Sequence, residues 1–272
     1  MTSLVIRKIP FEFEGAEFIW NPSNPGFAVM MNAITFQAIA FEKYICKTMN
    51  AAEKLARDPA ITEEIRAFNA QEMVHSQAHR KHAKVLIEKY PGLQEALDFC
   101  DRDYERLYEE RDLRYNLSYC ANIEATFTPL FGNIIEHRDL LFAGGDPRIS
   151  SLFLWHFVEE MEHRASAHVI YNNIVRNPFT RFFKLRSVFG HTRILAEKIY
   201  AVFHEHVPES RAYGLGDGVK AIPKHALKKM RNGILASQMP WHRPGSAKLP
   251  AYYGEWFARY ESGEDMRTAY AH

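Results

Sequence analysis

Two Glu-x-x-His tetrads lie far apart in this chain, at residues 72–75 and 160–163, and a lone glutamate precedes each of them. Residues three positions apart share one face of a helix, so each tetrad can direct a carboxylate and an imidazole towards the same ion or two adjacent ions. The order glutamate, tetrad, glutamate, tetrad is the pattern with which a four-helix bundle holds two metal ions in its core. The candidate ligands are Glu42, Glu72, His75, Glu124, Glu160 and His163.

The surroundings of Glu42 add weight to this pattern, since single tetrads can arise by chance in a helix-rich chain. Glu42 lies in segment 27–45, which is almost wholly apolar. An isolated buried carboxylate costs several kcal/mol or is neutralised, so it needs a partner. A metal ion is one such partner.

The spacing of the candidate ligands agrees with paired helices. About thirty residues separate each lone glutamate from the tetrad that follows, enough for one helix down and one back at about 1.5 Å per residue. The longer path between the two pairs crosses Pro91 and Gly92 and contains a predicted helix at about 93–111. One long crossover of this kind is typical of ferritin-like bundles.

Local sequence signals place the remaining helices. Asp58-Pro59 and Asp146-Pro147 each offer a capping acid followed by proline at the first helical position. Helices are predicted at about 112–137, 146–176, 180–206 and 223–235, and no strand-like alternation of any length occurs. We therefore expect an all-α, ferritin-like four-helix bundle in a single domain over 1–272, with its core at about 27–176 and extra helices and an irregular aromatic tail at about 177–272.

Composition restricts the classes of function. The chain has 272 residues, 47% of them hydrophobic, and a net charge of +1 with both signs interspersed, which argues against a nucleic-acid surface. Its three cysteines lack disulfide spacing, and the N-terminus has no secretory pattern, so we expect free thiols and a cytoplasmic protein. The large apolar content favours a homodimer.

Several residues near the candidate ligands allow more than one interpretation. His156 is either a seventh ligand or a donor that orients a ligand carboxylate, and Glu159 remains an alternative to Glu160. His79 and His82 are interpreted as a polar rim of the bundle. Glu162 is expected to pair outside the core with Arg164 or with an arginine from a neighbour.

Other features suggest a pocket and its cover. The candidate pocket walls are Ala38, Cys46, Cys120 and Thr128. Pro129 should kink its helix and could open a channel. The aromatic tail after Ser237 is expected to pack across the bundle or a neighbouring subunit, and the alternative is a lid over the substrate pocket.

Segment 176–193 alternates basic and aromatic residues. It could contact an anionic membrane or an acidic carrier protein. The favoured interpretation is a surface helix that packs on the bundle through its phenylalanines.

The stretch 154–164, with sequence LWHFVEEMEHR, and the tetrad 72–75 together resemble a bacterial family described as predicted metal-dependent hydrolases, which is similar to the ferritin-like superfamily. The resemblance extends over about 27–206. The ligand layout also resembles di-iron oxygenases, including ribonucleotide reductase small subunits and acyl-carrier desaturases. That likeness implies the six ligands given above, and His156 is similar to the third histidine of aryl-amine N-oxygenases.

Carboxylates and imidazoles suit two iron ions, with manganese or a mixed pair as alternatives. The favoured prediction is an O₂-dependent oxygenase or oxidase that acts on a small or apolar substrate and needs an external electron donor. The alternative is a metal-dependent hydrolase that uses a metal-activated bridging water. Iron storage or a metal-stapled interaction module is the least favoured.

Overall fold

The computed structural model describes residues 4–270, and within them the chain forms ten α-helices, short 3₁₀ turns and no strand. The all-α prediction is therefore confirmed. The helices are α1 Pro25–Glu53, α2 Pro59–Lys89, α3 Gln94–Glu110, α4 Leu113–Glu136, α5 Arg138–Leu141, α6 Pro147–Glu162, α7 Ser166–Val175, α8 Pro178–His206, α9 Lys224–Ser237 and α10 Ala251–Glu261.

The starts of the helices that carry the tetrads follow from local chemistry. The Asp58 side chain accepts a hydrogen bond from the backbone N–H of Ala60, and Asp146 does the same for Arg148. Each aspartate satisfies a backbone donor that the first turn leaves without a helical partner, and the proline after it has no N–H to satisfy. Both predicted caps are confirmed.

Four helices carry the candidate ligands and pack around one another. Helix α1 packs along α2, and α4 contacts α6, while further contacts join α1 to α4 and α2 to α6. The connection between the two pairs contains α3, which packs on α1 and α8. This arrangement agrees with the bundle read from the sequence, although its assignment to the ferritin-like superfamily and the single-domain boundary stay predictions.

The predicted helix at 146–176 is wrong in one respect, because it is two helices. Helix α6 ends at Glu162 and α7 begins at Ser166. At the break, the Arg164 guanidinium donates to the Met161 carbonyl (2.6 Å), and the Ser166 N–H donates to the His163 carbonyl (2.7 Å). These bonds replace the regular hydrogen bonds of the helix. The sequence gives no signal of the break, because this stretch contains no glycine or proline.

Helix α4 runs on past its internal Pro129, and the predicted bend there remains a prediction. The proline ring lies against α9 at Gly233, where an added Cβ would come within 2.8 Å of the Pro129 Cβ. Glycine thus allows α9 to approach α4 closely.

The C-terminal tail is more regular than expected, since it contains α10. Tyr252 and Trp256 of this helix are buried and belong to the same apolar core as Trp155 of α6. The Tyr270 N–H donates to the Ser151 hydroxyl of α6 (3.0 Å). The tail therefore packs across the bundle, as the favoured interpretation held. No helix in the described part of the chain is long and apolar enough to cross a bilayer.

Candidate metal centre

The four ligand-bearing helices bring all seven predicted site residues into one buried cluster. Each of these residues is at most 4% exposed. Their ligand atoms, together with one of His79, form overlapping groups in which every atom lies within 4.8 Å of the others. The groups are Glu72, Glu124, Glu160 and His163; Glu42, Glu72 and His75; His75, His156 and Glu160; and Glu42, His79 and His156.

Glu160 lies at the centre of this cluster. One of its oxygens, Oε1, is 2.8 Å from Nε2 of His156, and the other, Oε2, is 2.9 Å from Nε2 of His163. The two histidines outweigh the effect of burial and hold the pKa of the Glu160 carboxyl well below its usual range. Glu160 is thus placed as an ionised carboxylate between two imidazoles.

The remaining carboxylates surround Glu160 on two sides. Nε2 of His163 lies 3.2 Å from Glu72 Oε1 and 3.7 Å from Glu124 Oε2. On the other side, Glu42 Oε1 is 3.5 Å from Nε2 of His156. The ligand atoms of the cluster therefore lie on both sides of Glu160.

The clustered side chains suit a cation because they present more hydrogen-bond acceptors than there are hydrogen-bond donors to satisfy them. Both oxygens of Glu42 and of Glu72, Oε1 of Glu124 and Nδ1 of His75 are buried without a hydrogen-bond partner among the described residues. A buried polar atom without a partner costs about 1–3 kcal/mol, and more when it is charged. Burial and the repulsion from neighbouring glutamates raise the pKa of Glu42 and of Glu124. Bound cations would satisfy the lone pairs and offset the repulsion.

Each candidate histidine ligand is oriented by a group on its outer side. His75 Nε2 is 2.9 Å from Glu159 Oε2, and His163 Nδ1 is 3.0 Å from Gln71 Oε1. Such outer hydrogen bonds fix the ring orientation and the tautomer of a metal ligand. In both residues the other nitrogen is left facing the carboxylates.

The outer partner of His75 explains the position of Glu159. Oε1 of Glu159 accepts a hydrogen bond from the Arg7 guanidinium (2.9 Å), and the same guanidinium forms two bonds to Glu162. Glu159 thus lies behind His75, while Glu160 reaches the centre of the cluster. Of the two predicted partners of Glu162, the structure has the arginine from a neighbouring segment, Arg7, and not Arg164, whose side chain donates to backbone carbonyls.

Sequence reasoning missed Arg7 and Gln71. Arg7 lies in the extended N-terminal segment, roughly 150 residues from its partners in the chain, and no periodic pattern marks it. Gln71 precedes Glu72, and it donates to Glu162 (2.7 Å) while it accepts from His163. Only its adjacency to a tetrad could have drawn attention to it.

The interpretation of His79 and His82 as a polar rim is wrong, because both are fully buried. His79 Nε2 is 2.8 Å from His156 Nδ1, so His79 is the outer partner of the third histidine. The Thr35 hydroxyl lies 3.0 Å from His79 Nδ1 and 3.2 Å from His82 Nδ1. Burial lowers the pKa of His82 to about 3. His82, the histidine of this hydrogen-bonded series that lies farthest from the metal cluster, is therefore neutral.

A mainly apolar pocket of about 200 Å³ reaches the cluster from helices α1, α4 and α8. Ala38 lines it as expected, whereas Cys46, Cys120 and Thr128 do not. Helix α4 turns Thr126 rather than Thr128 towards the opening, and all three cysteines are free thiols. The lining residues are Ile34, Gln37, Ala38, Phe41, Glu42, Glu72, Ile123, Thr126, Phe127, Leu130, Phe131, His156, Glu160, Phe189 and Thr192.

The fold and the site define an all-helical protein with a buried carboxylate and imidazole cluster suited to cations, beside an apolar pocket. A family model described as predicted metal-dependent hydrolase matches residues 5–246. The chain belongs to this family, and the matched residues include every candidate ligand. No curated protein and no solved structure matches the chain.

Proposed function

We propose that the chain is a dinuclear metal-dependent hydrolase that acts on a substrate with an apolar group beside the bond that is cleaved. The observation that carries this proposal is the excess of unpartnered buried ligand atoms at the inner end of an apolar pocket. Membership of the predicted metal-dependent hydrolase family supports it. When bound, two divalent ions would lower the pKa of a shared water and polarise a carbonyl or phosphoryl oxygen.

The ligand set proposed for these ions consists of the seven clustered residues. Glu124 and His163 belong to one side of Glu160, and Glu42 and His75 belong to the other. Oxygen and nitrogen donors without thiolate suit iron or manganese. Glu159, Gln71 and His79 hold the three histidine rings in place from outside.

The protein's own part in hydrolysis is to bind, orient and exclude water. Phe41, Phe127 and Phe131 supply the apolar wall against which the substrate packs. Glu42 lines the same pocket, so its carboxylate is placed to accept the proton that a water molecule gives up.

An O₂-dependent oxidation is the second candidate function. The pocket is compatible with it, because a phenylalanine-lined opening suits an unactivated apolar substrate as well as an ester. This reaction would need an external electron donor. A hydrolase has no such requirement, and this difference separates the two candidates.

The test compares turnover with and without oxygen. Metal-free protein is reloaded with iron or manganese and assayed against a panel of p-nitrophenyl esters of increasing chain length. We expect equal hydrolysis in air and under nitrogen, and we expect Glu42→Ala to lose at least 100-fold in kcat/KM. The control Glu88→Ala changes an exposed glutamate of α2 and should retain full activity.

Two results would contradict hydrolysis. Turnover that stops without oxygen or without a reductant would favour the oxidase candidate. Hydrolysis that persists unchanged in the metal-free protein would remove the cluster from catalysis.

A further inference from the structure

The outward face of α8 exposes large apolar side chains. Phe179 is 53% exposed and Phe183 is 75% exposed, and Phe182, Phe189 and Ile194 also reach solvent. The expectation that the phenylalanines of this segment pack on the bundle is therefore wrong for these positions. The buried side of the helix is formed instead by Arg181, Val188, Leu195, Ile199, Tyr200, Val202 and Phe203.

The helical period explains why these residues form one face. Positions 179, 182, 183, 186, 189, 193 and 194 recur at intervals of three and four, so they fall on one side of the helix. Five of the seven are apolar, and Arg186 and Arg193 are the other two. A solvent-exposed face of a globular helix is ordinarily polar, so this face indicates a contact.

The charged residues of segment 176–193 are all basic. No acidic residue occurs from Arg176 to Arg193 in the sequence, and Arg176, Arg186 and Arg193 are exposed. Arg193 is paired with Glu197 one turn further along α8. From Phe179 to Arg193, before Glu197 adds an acidic group, the exposed face is therefore apolar and cationic together, which is the chemistry of a helix that lies in the surface of an anionic bilayer.

A tryptophan extends the same surface beyond the start of α8. Trp241 is 74% exposed, and it lines one surface groove together with Arg176, Pro178 and Arg243. Tryptophan and arginine are favoured at the level of lipid headgroups, where an amphipathic ring and a long cationic side chain each satisfy both environments. The groove adds a second aromatic and basic element next to Phe179.

The face also leads to the candidate metal centre. Phe189 belongs to the exposed face and at the same time lines the apolar pocket that reaches Glu42 and Glu160. Thr192, one turn further along α8, lines the pocket as well. One wall of the pocket therefore belongs to the same helix as the exposed face, and Phe189 is common to both.

We propose that the outward face of α8, with Trp241, binds the surface of a bilayer that contains anionic lipids. We further infer, and this step rests on the proposed function, that the pocket receives the acyl part of a membrane-borne substrate past Phe189. Charge complementarity favours a bilayer over a second copy of this chain, because two such faces would bring their arginines together.

The test measures sedimentation of the metal-loaded full chain with vesicles. Vesicles of phosphatidylglycerol and phosphatidylcholine should bind the protein at least tenfold more tightly than phosphatidylcholine alone. Phe179→Ser/Phe183→Ser and Arg186→Glu/Arg193→Glu should each reduce this binding at least tenfold. The control Leu55→Ser/Leu140→Ser removes two comparably exposed leucines outside α8 and should bind as the wild type does.

Three results would contradict the proposal that this face binds a membrane. The first is absence of binding to anionic vesicles, and the second is an equal loss in the control variant. The third is a wild-type dimer that dissociates in the α8 variants without any vesicle binding, measured by light scattering, which would make the face a contact between copies.

A separate variant keeps this inference distinct from the proposed function. Glu124→Ala should abolish ester hydrolysis and still sediment with anionic vesicles. The α8 variants should hydrolyse a soluble short-chain ester normally and lose at least tenfold in rate on a long-chain ester presented in vesicles. An equal rate on both substrates would overturn the delivery route, and it would leave hydrolysis itself intact.

Discussion

Two buried polar networks lie side by side in this protein, and they differ in whether they are complete. In the tyrosine cluster, which consists of Tyr104, Tyr119, His191 and Asp103, the hydroxyls of the two tyrosines are 3.3 Å apart. Tyr119 is joined to His191 Nδ1 at 2.8 Å, and His191 Nε2 lies 2.7 Å from Asp103. Every side-chain polar atom of this cluster has a protein partner.

The metal centre lacks this balance. Its carboxylates supply acceptors in excess, and several of their oxygens have no donor among the described residues. Burial raises the pKa of Tyr119 in one network and of Glu72 in the other, and the charges of like neighbours raise each pKa further. Buried polar residues alone therefore do not indicate a metal site, whereas an excess of like acceptors does.

The largest predicted effect is that of metal removal. A ligand present at about 1,000 times its Kd adds about 4 kcal/mol to the free energy of unfolding. Removal of the metal by a chelator should therefore lower the Tm by about 10 °C. Tyr119→Phe should show the same drop, because the tyrosine cluster holds no ion. Scanning calorimetry with and without chelator measures both, and an unchanged wild-type Tm would contradict the expected coupling.

The next effect concerns the outer support of the centre. Arg7→Ala should cost about 3 kcal/mol, because it leaves Glu159 and Glu162 without their cation in a largely buried position. Urea denaturation measures this cost, and Arg57→Ala, at an exposed position, serves as the control. A cost below about 1 kcal/mol would show that the Arg7 contacts do not support α6.

A smaller effect is expected in the tyrosine cluster. Tyr119→Phe should cost about 1–2 kcal/mol, since it removes one hydroxyl from a complete chain of hydrogen bonds and leaves His191 Nδ1 without it. Its metal content should equal that of the wild type. Loss of an ion in this variant would show that the two networks are not independent.

The smallest effect is a pH dependence at the start of α6. Hydrogen bonds from Arg148 outweigh burial and lower the pKa of Asp146 from its ordinary value. A lowered pKa contributes stability that is present above about pH 4 and is lost as the pH falls through the folded value. Asp146→Ala should therefore cost about 1 kcal/mol at pH 7 and less at pH 3. Denaturation at both pH values tests this, and a gap that widens in acid would contradict it.

The site residues whose spacing follows the helical repeat could be predicted from the sequence. The spacing within each tetrad placed Glu72 with His75 and Glu160 with His163, and the interval of four placed His156 beside Glu160. Asp58 and Asp146 marked helix starts because capping depends only on neighbouring residues.

The remaining parts depend on contacts between distant segments. Arg7 reaches Glu159 only after the N-terminal segment has docked on α6, and Thr35 reaches His79 only across α1 and α2. The break after Glu162 and the exposure of Phe183 also have no local signal, because packing by other elements decides both. A sequence repeat of three and four residues defines the faces of a helix, but it does not show which face is covered by other elements.

The most direct test of the central claim is the metal content of the purified chain. Protein produced with iron and manganese in excess is measured by mass spectrometry of its metals, together with Glu124→Ala and Tyr119→Phe. We predict two ions per chain in the wild type and in Tyr119→Phe, and at most one in Glu124→Ala. Absence of stoichiometric metal in the wild type, or retention of two ions in Glu124→Ala, would contradict the account.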